Sequence, residues 1–373
     1  MIVFSLTIII AFFSSPIFRF YKESYTLSKK YYIYRDLLNH VIDTSDSAQL
    51  ALIPFSNFTY KDIRIVIIGE SVRKDYLSVY GYPHETTPFL DRTQGIFIDG
   101  FISPSSQTIF SLLRMLIIPS ENEQIGYGAN NAVNIANMAG YETFWISNQG
   151  SKGHADVAVS RIAQKSLHTI FLNHSEWTAS GDDFEILPHI NKILDTQYHK
   201  EKLLFIHMIG SHPRFCRRVE NYQFRFDLLG NKDANCYLST IHKLDSFIQS
   251  IISELEEKKL SYSLIYFSDH GLMSSDNPLS FMHDARYQYR QSFEVPLFVL
   301  DSDIHEHIVI KRKLSGFHFM DIFASWIGVE TNMTDPRYTI TDFPEDTDIK
   351  ISDGQSIRSY DDLQDNPVVT SKE

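Results

Sequence analysis

Cysteine is scarce in this chain: Cys216 and Cys236 are the only two among 373 residues, and neither stands where a cysteine nucleophile would be expected. Positive charge is short as well. Lys and Arg number 34 against 46 Asp and Glu, a formal net charge of −12, which gives no support to nucleic acid as a partner. There are no internal repeats. After about residue 335 the sequence is acidic and polar with no packing period, and it reads as loop and tail. The apolar stretch of residues 2–18 is at the short end of a membrane span. It lacks a preceding basic residue and a clear small-x-small cleavage site, so a retained anchor fits better than a cleaved signal. Arg19, Lys22, Lys29 and Lys30 follow it, which by the positive-inside rule is a contrary hint about the orientation of what comes after.

Apolar residues make up 43% of the chain and aromatic residues 13%, enough to bury a full core in one α/β domain of nearly three hundred residues. The run Arg64–Ile68 is a β-branched strand ending in Gly69-Glu70-Ser71. Ser263–Phe267 is another, ending in Ser268-Asp269-His270-Gly271. Leu203–Ile209 and Val295–Leu300 also read as strands, and Tyr141–Ser147 as a strand closed by a turn at Asn148–Gly150. Helices are expected over 129–139, 154–164, 237–258 and 317–329, with a partly helical connector through 31–42. Strands alternating with helices imply a mainly parallel sheet covered on both faces, with a site along the strand carboxyl ends.

Three segments carry chemistry. Asp269 and His270 are neighbours on an extended strand, whose side chains alternate faces, so they reach one ion only where the strand ends and turns; Gly271 permits that turn. A loop Asp beside a satisfied core His is the plain alternative. Glu70 stands at a second strand end, where a divalent cation would remove the cost of burying it; a helix-start residue favoured by the helix dipole is the alternative. Thr108 follows the polar loop Ser103–Gln107 and opens a helix. It reads as a capping residue, or as a hydroxyl that loses its proton on a metal and becomes a nucleophile.

The order and spacing of these motifs resemble the alkaline phosphatase and sulfatase superfamily, and within it the bacterial phosphoethanolamine transferases that modify lipid A and lipopolysaccharide core. The resemblance covers about residues 61–330 and rests on Gly69-Glu70, Thr108, Gly210-Ser211-His212, Ser268-Asp269-His270-Gly271 and His283. It implies an alkaline phosphatase-like α/β fold, preceded by a short membrane span. It also implies that Glu70, Thr108, Asp269 and His270 ligate a catalytic zinc, a four-coordinate N/O set suited to that metal. His212 and His283 would line the pocket, touching the transferred phosphate or a second zinc, and either could protonate the leaving group. His207 reads as core, while His154, His168, His174, His189 and His242 have no partner pattern. The implied reaction takes phosphoethanolamine from phosphatidylethanolamine through phospho-Thr108 to an anionic lipid A or lipopolysaccharide acceptor. The Arg214, Arg217 and Arg218 cluster is a candidate patch for that acceptor, or a solvated loop.

Departures from the family pattern are informative too. The formylglycine signature Cys-x-Pro-x-Arg would fall on Ser103–Gln107, which holds neither Cys nor Arg, and this argues against sulfate ester hydrolysis. Pro213 replaces the usual Gly after Gly-Ser-His, and Asp284 the usual Gly after His283. The resemblance further implies a periplasmic catalytic domain on the inner membrane and a Cys216–Cys236 disulfide, against which two unrelated thiols stay open. The expected organisation is an anchor at 1–18, the last span of a membrane domain that relatives carry in full, a connector at 19–60, a catalytic domain at 61–335 and a tail at 336–373. A phosphoglycerol transferase or phosphodiesterase on the same scaffold, or an inactive membrane-anchored remnant, are the alternatives.

Overall fold

The computed structural model describes residues 50–371 apart from 56–57, 120–124, 127, 152–156, 174–180, 275–278, 285 and 355, together with isolated positions between 15 and 35. Most of the expected anchor and connector, together with His154 and His174, lie outside the described residues. Among the described residues no helix is long and apolar enough to cross a membrane.

Eight strands build the central sheet: β1 (Ile63–Gly69), β2 (Gly95–Ile98), β3 (Glu142–Ser147), β4 (His168–Phe171), β5 (Lys202–His207), β6 (Tyr262–Ser268), β7 (Leu297–Asp301) and β8 (His307–Ile310). Their order is β8-β2-β7-β6-β1-β5-β3-β4. β6, β1, β5, β3 and β4 are mutually parallel. β7 runs antiparallel to both of its neighbours, and β8 is parallel to β2. The sheet is therefore mainly parallel, as expected, with β7 as the reversed strand.

β1 shows why the sheet takes two covering layers. Ile63, Ile65 and Ile67 point into one apolar cluster, while Val66 and Ile68 point into the other. A strand with both faces buried reads as a near-continuous run of branched residues, each contributing roughly 2 kcal/mol by leaving water. On the Val66 face pack α1 (Thr108–Leu116), α2 (Ala132–Met138), α3 (Val157–Ala163) and, near the chain's end, the helix Phe319–Trp326. On the other face lie α4 (Leu187–Asp195), the single turn α5 (Phe215–Arg218) and the long α6 (Lys232–Glu257). α6 begins earlier than its apolar period suggested because the Asn231 side chain accepts from the amides of Asp233 and Ala234, adding a capped polar first turn.

Beyond residue 335 the expected loop and tail is packed instead, and it carries a short antiparallel strand pair, Lys350–Ser352 with Ile357–Ser359. Tyr338 and Phe343 join the first core face, and Ile349, Ile351, Tyr360 and Leu363 form a third cluster with Ile102, Tyr287 and Phe293. Farther on, the buried Arg73 guanidinium reaches Asn366, and the Val369 amide donates to the Tyr76 hydroxyl. The apolar anchors are spaced to fill separate niches, so no period announces them.

Candidate active site

The register of the sheet sets Glu70 beside Asp269. Gly69 pairs with Ser268 at the ends of β1 and β6, and the next amide along, that of Asp269, donates to the Gly69 carbonyl at 3.1 Å. Both carboxylates and the His270 ring are fully buried. Gly271 allows a close approach: a Cβ there would lie 2.1 Å from the Gln291 carbonyl oxygen.

Each side chain is oriented by its neighbours. His270 Nδ1 lies 2.7 Å from the Gly271 carbonyl, which can only accept, so Nδ1 carries the proton and Nε2 presents its lone pair. That Nε2 is 3.5 Å from Glu70 Oε1, 3.5 Å from Asp269 Oδ2 and 3.3 Å from the Thr108 hydroxyl. Asp269 Oδ1 accepts from the amides of Ser71 and His270, while its Oδ2 has no hydrogen-bond partner among the described residues. Glu70 accepts from Ser71 Oγ at 2.5 Å, from Thr108 Oγ1 at 3.1 Å and from Gln149 Nε2 at 3.2 Å. The backbone between these ligands is braced as well, since Ser103 and Ser111 both donate their hydroxyls to the Asp269 carbonyl. Ser71 itself is held at φ 60°, a conformation that costs a non-glycine residue about 1 kcal/mol or more and clusters at functional sites.

Glu70, Asp269 and His270 bring their ligand atoms within 4.8 Å of one another. Burial works to raise the Glu70 carboxyl, but His270, His212, His283 and the Ser71 hydroxyl outweigh it and hold it below the usual carboxylate range. Burial and then the Glu70 charge push the Asp269 carboxyl well above that range. Two adjacent carboxyl groups in a dry cage resist double ionisation. A dication would relieve that conflict, take up the orphaned Asp269 Oδ2 and complete the Nε2 lone pair. The donor set thus fits a divalent metal with borderline N/O preference, such as zinc.

Thr108 is the first residue of α1, and Gln107 before it makes no side-chain cap. Its hydroxyl turns to Glu70 and His270 instead of to a helix amide, which removes the simple capping alternative. His212, on the turn after β5, and His283, after the short strand Phe281–Met282, are half-buried and close the site. Their ring centroids are 5.5 Å apart, and His283 lies 5.2 Å from His270. Burial, followed by the charge of His270, pushes His283 down to about 4. His212 Nδ1 is buried with no hydrogen-bond partner among the described residues.

The remaining expected residues fall as follows. His207 is buried within β5 and, with Trp145 and Gln149, lines a small cavity reaching Thr108; burial pushes its imidazole down to about 4. Arg214 and Arg217 are exposed, whereas Arg218 is buried and its Nε donates to the His212 carbonyl. Arg218 thus leaves the expected surface cluster for the interior. Cys216 and Cys236 are disulfide-bonded, with Cα atoms 4.9 Å apart. Sequence reasoning missed Ser71, Gln149 and Asp183. From the sequence Gln149 reads only as part of a turn, although that turn follows a parallel strand at the same carboxyl end of the sheet as Glu70.

Residues 63–329 match the sulfatase family. The chain is 30% identical over 329 residues to phosphoethanolamine transferase OpgE of Escherichia coli (strain K12), covering 87% of this chain and 60% of that protein. It is 39% identical over 229 residues to a putative phosphoethanolamine transferase of Haemophilus influenzae, covering 58% of this chain and 46% of that protein. It therefore spans between about half and three-fifths of these relatives' own lengths. Among solved structures, the C-terminal periplasmic domain of EcEptC from Escherichia coli, in complex with Zn, superposes with a TM-score of 0.70 at 21% identity, covering 84% of this chain and 98% of that one. The architecture is the alkaline phosphatase-like α/β fold. With its family match spanning both strand-end carboxylates, Thr108 and His270, the chain belongs to the sulfatase family.

Proposed function

We propose that this chain carries the catalytic domain of a zinc-dependent phosphoethanolamine transferase. The observation that supports this most is the Thr108 hydroxyl, held 3.1 Å from Glu70 Oε2 and 3.3 Å from His270 Nε2. A hydroxyl so placed is a nucleophile in waiting, and the names of the curated relatives supply the transferred group. Glu70, Asp269, His270 and Thr108 would hold the metal. Bound zinc lowers the pKa of a coordinated hydroxyl and polarises a phosphoryl oxygen.

Thr108 attacks phosphorus in line, so that a bond from its oxygen forms as the bond from phosphorus to the glycerol oxygen of phosphatidylethanolamine breaks. The leaving oxygen takes up a proton, the Thr108 proton is released, and the exchange balances. We assign the protonation of the departing oxygen to His212, whose ring lies 5.5 Å from that of His283 and whose Nδ1 has no hydrogen-bond partner among the described residues. In a second displacement, an acceptor hydroxyl or phosphate oxygen on lipid A or lipopolysaccharide core bonds to phosphorus as the bond from phosphorus to the Thr108 oxygen breaks; His212 takes any proton the acceptor gives up, and the Thr108 oxygen regains one. Such a two-step transfer gives ping-pong kinetics.

The disulfide supports an oxidising compartment, and with residues 2–18 as the anchor the domain would work in the periplasm on the inner membrane. The test is turnover by zinc-loaded protein of phosphatidylethanolamine beside phosphatidylglycerol, with lipid A or water as acceptor. Preferential release of diacylglycerol from phosphatidylethanolamine, dependent on acceptor, supports the reading. Preference for phosphatidylglycerol, or release to water alone, would replace it with a phosphoglycerol transferase or a phosphodiesterase.

A further inference from the structure

His212 stands on a turn whose backbone is fastened from several sides, and one of its fasteners is a buried carboxylate from a distant segment. Asp183 opens a short 3-10 turn before α4 and is 6% exposed. Its Oδ1 accepts from the Ile209 amide at 2.9 Å and from Asn148 Nδ2 at 2.8 Å, and its Oδ2 accepts from the Gly210 amide at 2.9 Å. The next amide, that of Ser211, donates to the Glu70 carbonyl at 2.9 Å, and that of His212 to the Ile209 carbonyl at 3.1 Å. All four amides of residues 209–212 are thereby committed.

The turn is also pressed against the metal-binding strand end. Gly210 has φ 46°, and a Cβ on it would sit 3.0 Å from the Glu70 amide nitrogen and carbonyl oxygen. Asp183 Oδ1 also holds Asn148, and the following residue, Gln149, donates to Glu70 Oε2. One carboxylate thus ties the end of β3 to the end of β5 while both touch Glu70. A buried carboxylate spent on two consecutive amides is an expensive fastener unless it fixes something that must not drift. The turn it fixes carries His212 two residues beyond Gly210.

We propose that Asp183 is a positioning residue that sets His212 at the distance from Thr108 needed to protonate the departing oxygen; this rests on the function proposed above. The consequence is selective. An acid matters for a poor leaving group such as a diacylglycerol oxygen and little for one that departs readily as an anion.

The experiment measures phosphoethanolamine transfer to Thr108 in the zinc-loaded full chain, from short-chain phosphatidylethanolamine and from the p-nitrophenyl ester of phosphoethanolamine. Wild type is compared with Asp183→Asn, His212→Ala and the double variant, with zinc content and melting temperature recorded for each. Asp183→Asn should lose about 30-fold or more with the lipid and less than about 3-fold with the nitrophenyl ester, at unchanged zinc content, and the double variant should be no slower than His212→Ala. Where Asp183→Asn does not fold, Asp183→Glu carries the same test, since it keeps both acceptors and the charge but lengthens the arm by one methylene. Equal losses with both esters, or loss of zinc, would make Asp183 a scaffold residue and overturn the inference. Selectivity in His212→Ala but not in the Asp183 variants would overturn the inference alone. No turnover of either ester by the wild type would overturn it together with the functional reading on which it rests.

Discussion

Glu70 and Asp269 emerge at the same level from hydrogen-bonded parallel strands, 199 residues apart in the chain, and bury two carboxyl groups against one imidazole. Without a cation this is an unfavourable arrangement. Removing the metal with a chelator should lower the melting temperature, and Asp269→Asn should then make the metal-free protein more stable than metal-free wild type by roughly 2 kcal/mol. The same variant should bind zinc more weakly. Melting curves with and without chelator check this, and a metal-free variant no more stable than wild type would count against the carboxylate conflict.

Gln149 Nε2 bridges Glu70 Oε2 and the Met208 carbonyl. Orienting partners of metal ligands are typically worth about 10–100-fold in metal affinity. Gln149→Ala should weaken zinc by about that factor and leave the melting temperature of the metal-free protein nearly unchanged. Competition with a chromogenic chelator measures it, and wild-type affinity would remove Gln149 from the site.

Asp245, on α6, accepts from the amides of Phe89 and Leu90 at 2.8 and 3.0 Å. Burial first, with Asp91 adding to it, pushes its carboxyl up to about 7. The folded state therefore holds this proton more tightly than the unfolded state. Its contribution to stability is complete below the ordinary carboxyl pKa and is lost as pH rises through about 7. Between pH 5 and 8 the wild type should lose stability by a component that Asp245→Asn lacks. Parallel denaturation curves across that range decide it, and identical pH slopes would contradict it.

The Cys216–Cys236 bond closes a loop with a sequence separation of 20 and ties α5 to α6. Reduction should cost about 3 kcal/mol by the chain-entropy estimate. Because α5 carries Arg218, whose Nε holds the His212 carbonyl, loss of activity should accompany the loss of stability. Denaturant unfolding of the Cys216→Ser/Cys236→Ser variant, beside its transfer rate, tests both.

The sequence made the centre of the fold legible because its signals are local. β1 and β6 are mostly apolar runs buried along their whole length, and each is followed directly by a carboxylate. The edges were not legible. β2, β4 and β8 span four residues each, too few for a period to show, and β8 is largely exposed. The reversal of β7 leaves no trace in its composition, since a strand buried on both faces reads the same in either direction. The buried supports of the site escaped for a different reason. Gln149 and Asp183 act through contacts across 79 and 26 residues, and a lone amide or carboxylate in a loop carries no spacing that marks its target. The packing after residue 335 was hidden for the same reason, as Arg73 meets Asn366 across 293 residues.

The central claim is that Thr108 is the nucleophile, and the most direct measurement is the intact mass with peptide mapping of zinc-loaded protein after incubation with short-chain phosphatidylethanolamine, beside Thr108→Ala. The account predicts one phosphoethanolamine added on Thr108 in the wild type. It also predicts none in the variant, whose melting temperature should be unchanged and whose transfer should fall by about 10³-fold or more. An adduct on another residue, or undiminished transfer by Thr108→Ala, would contradict it.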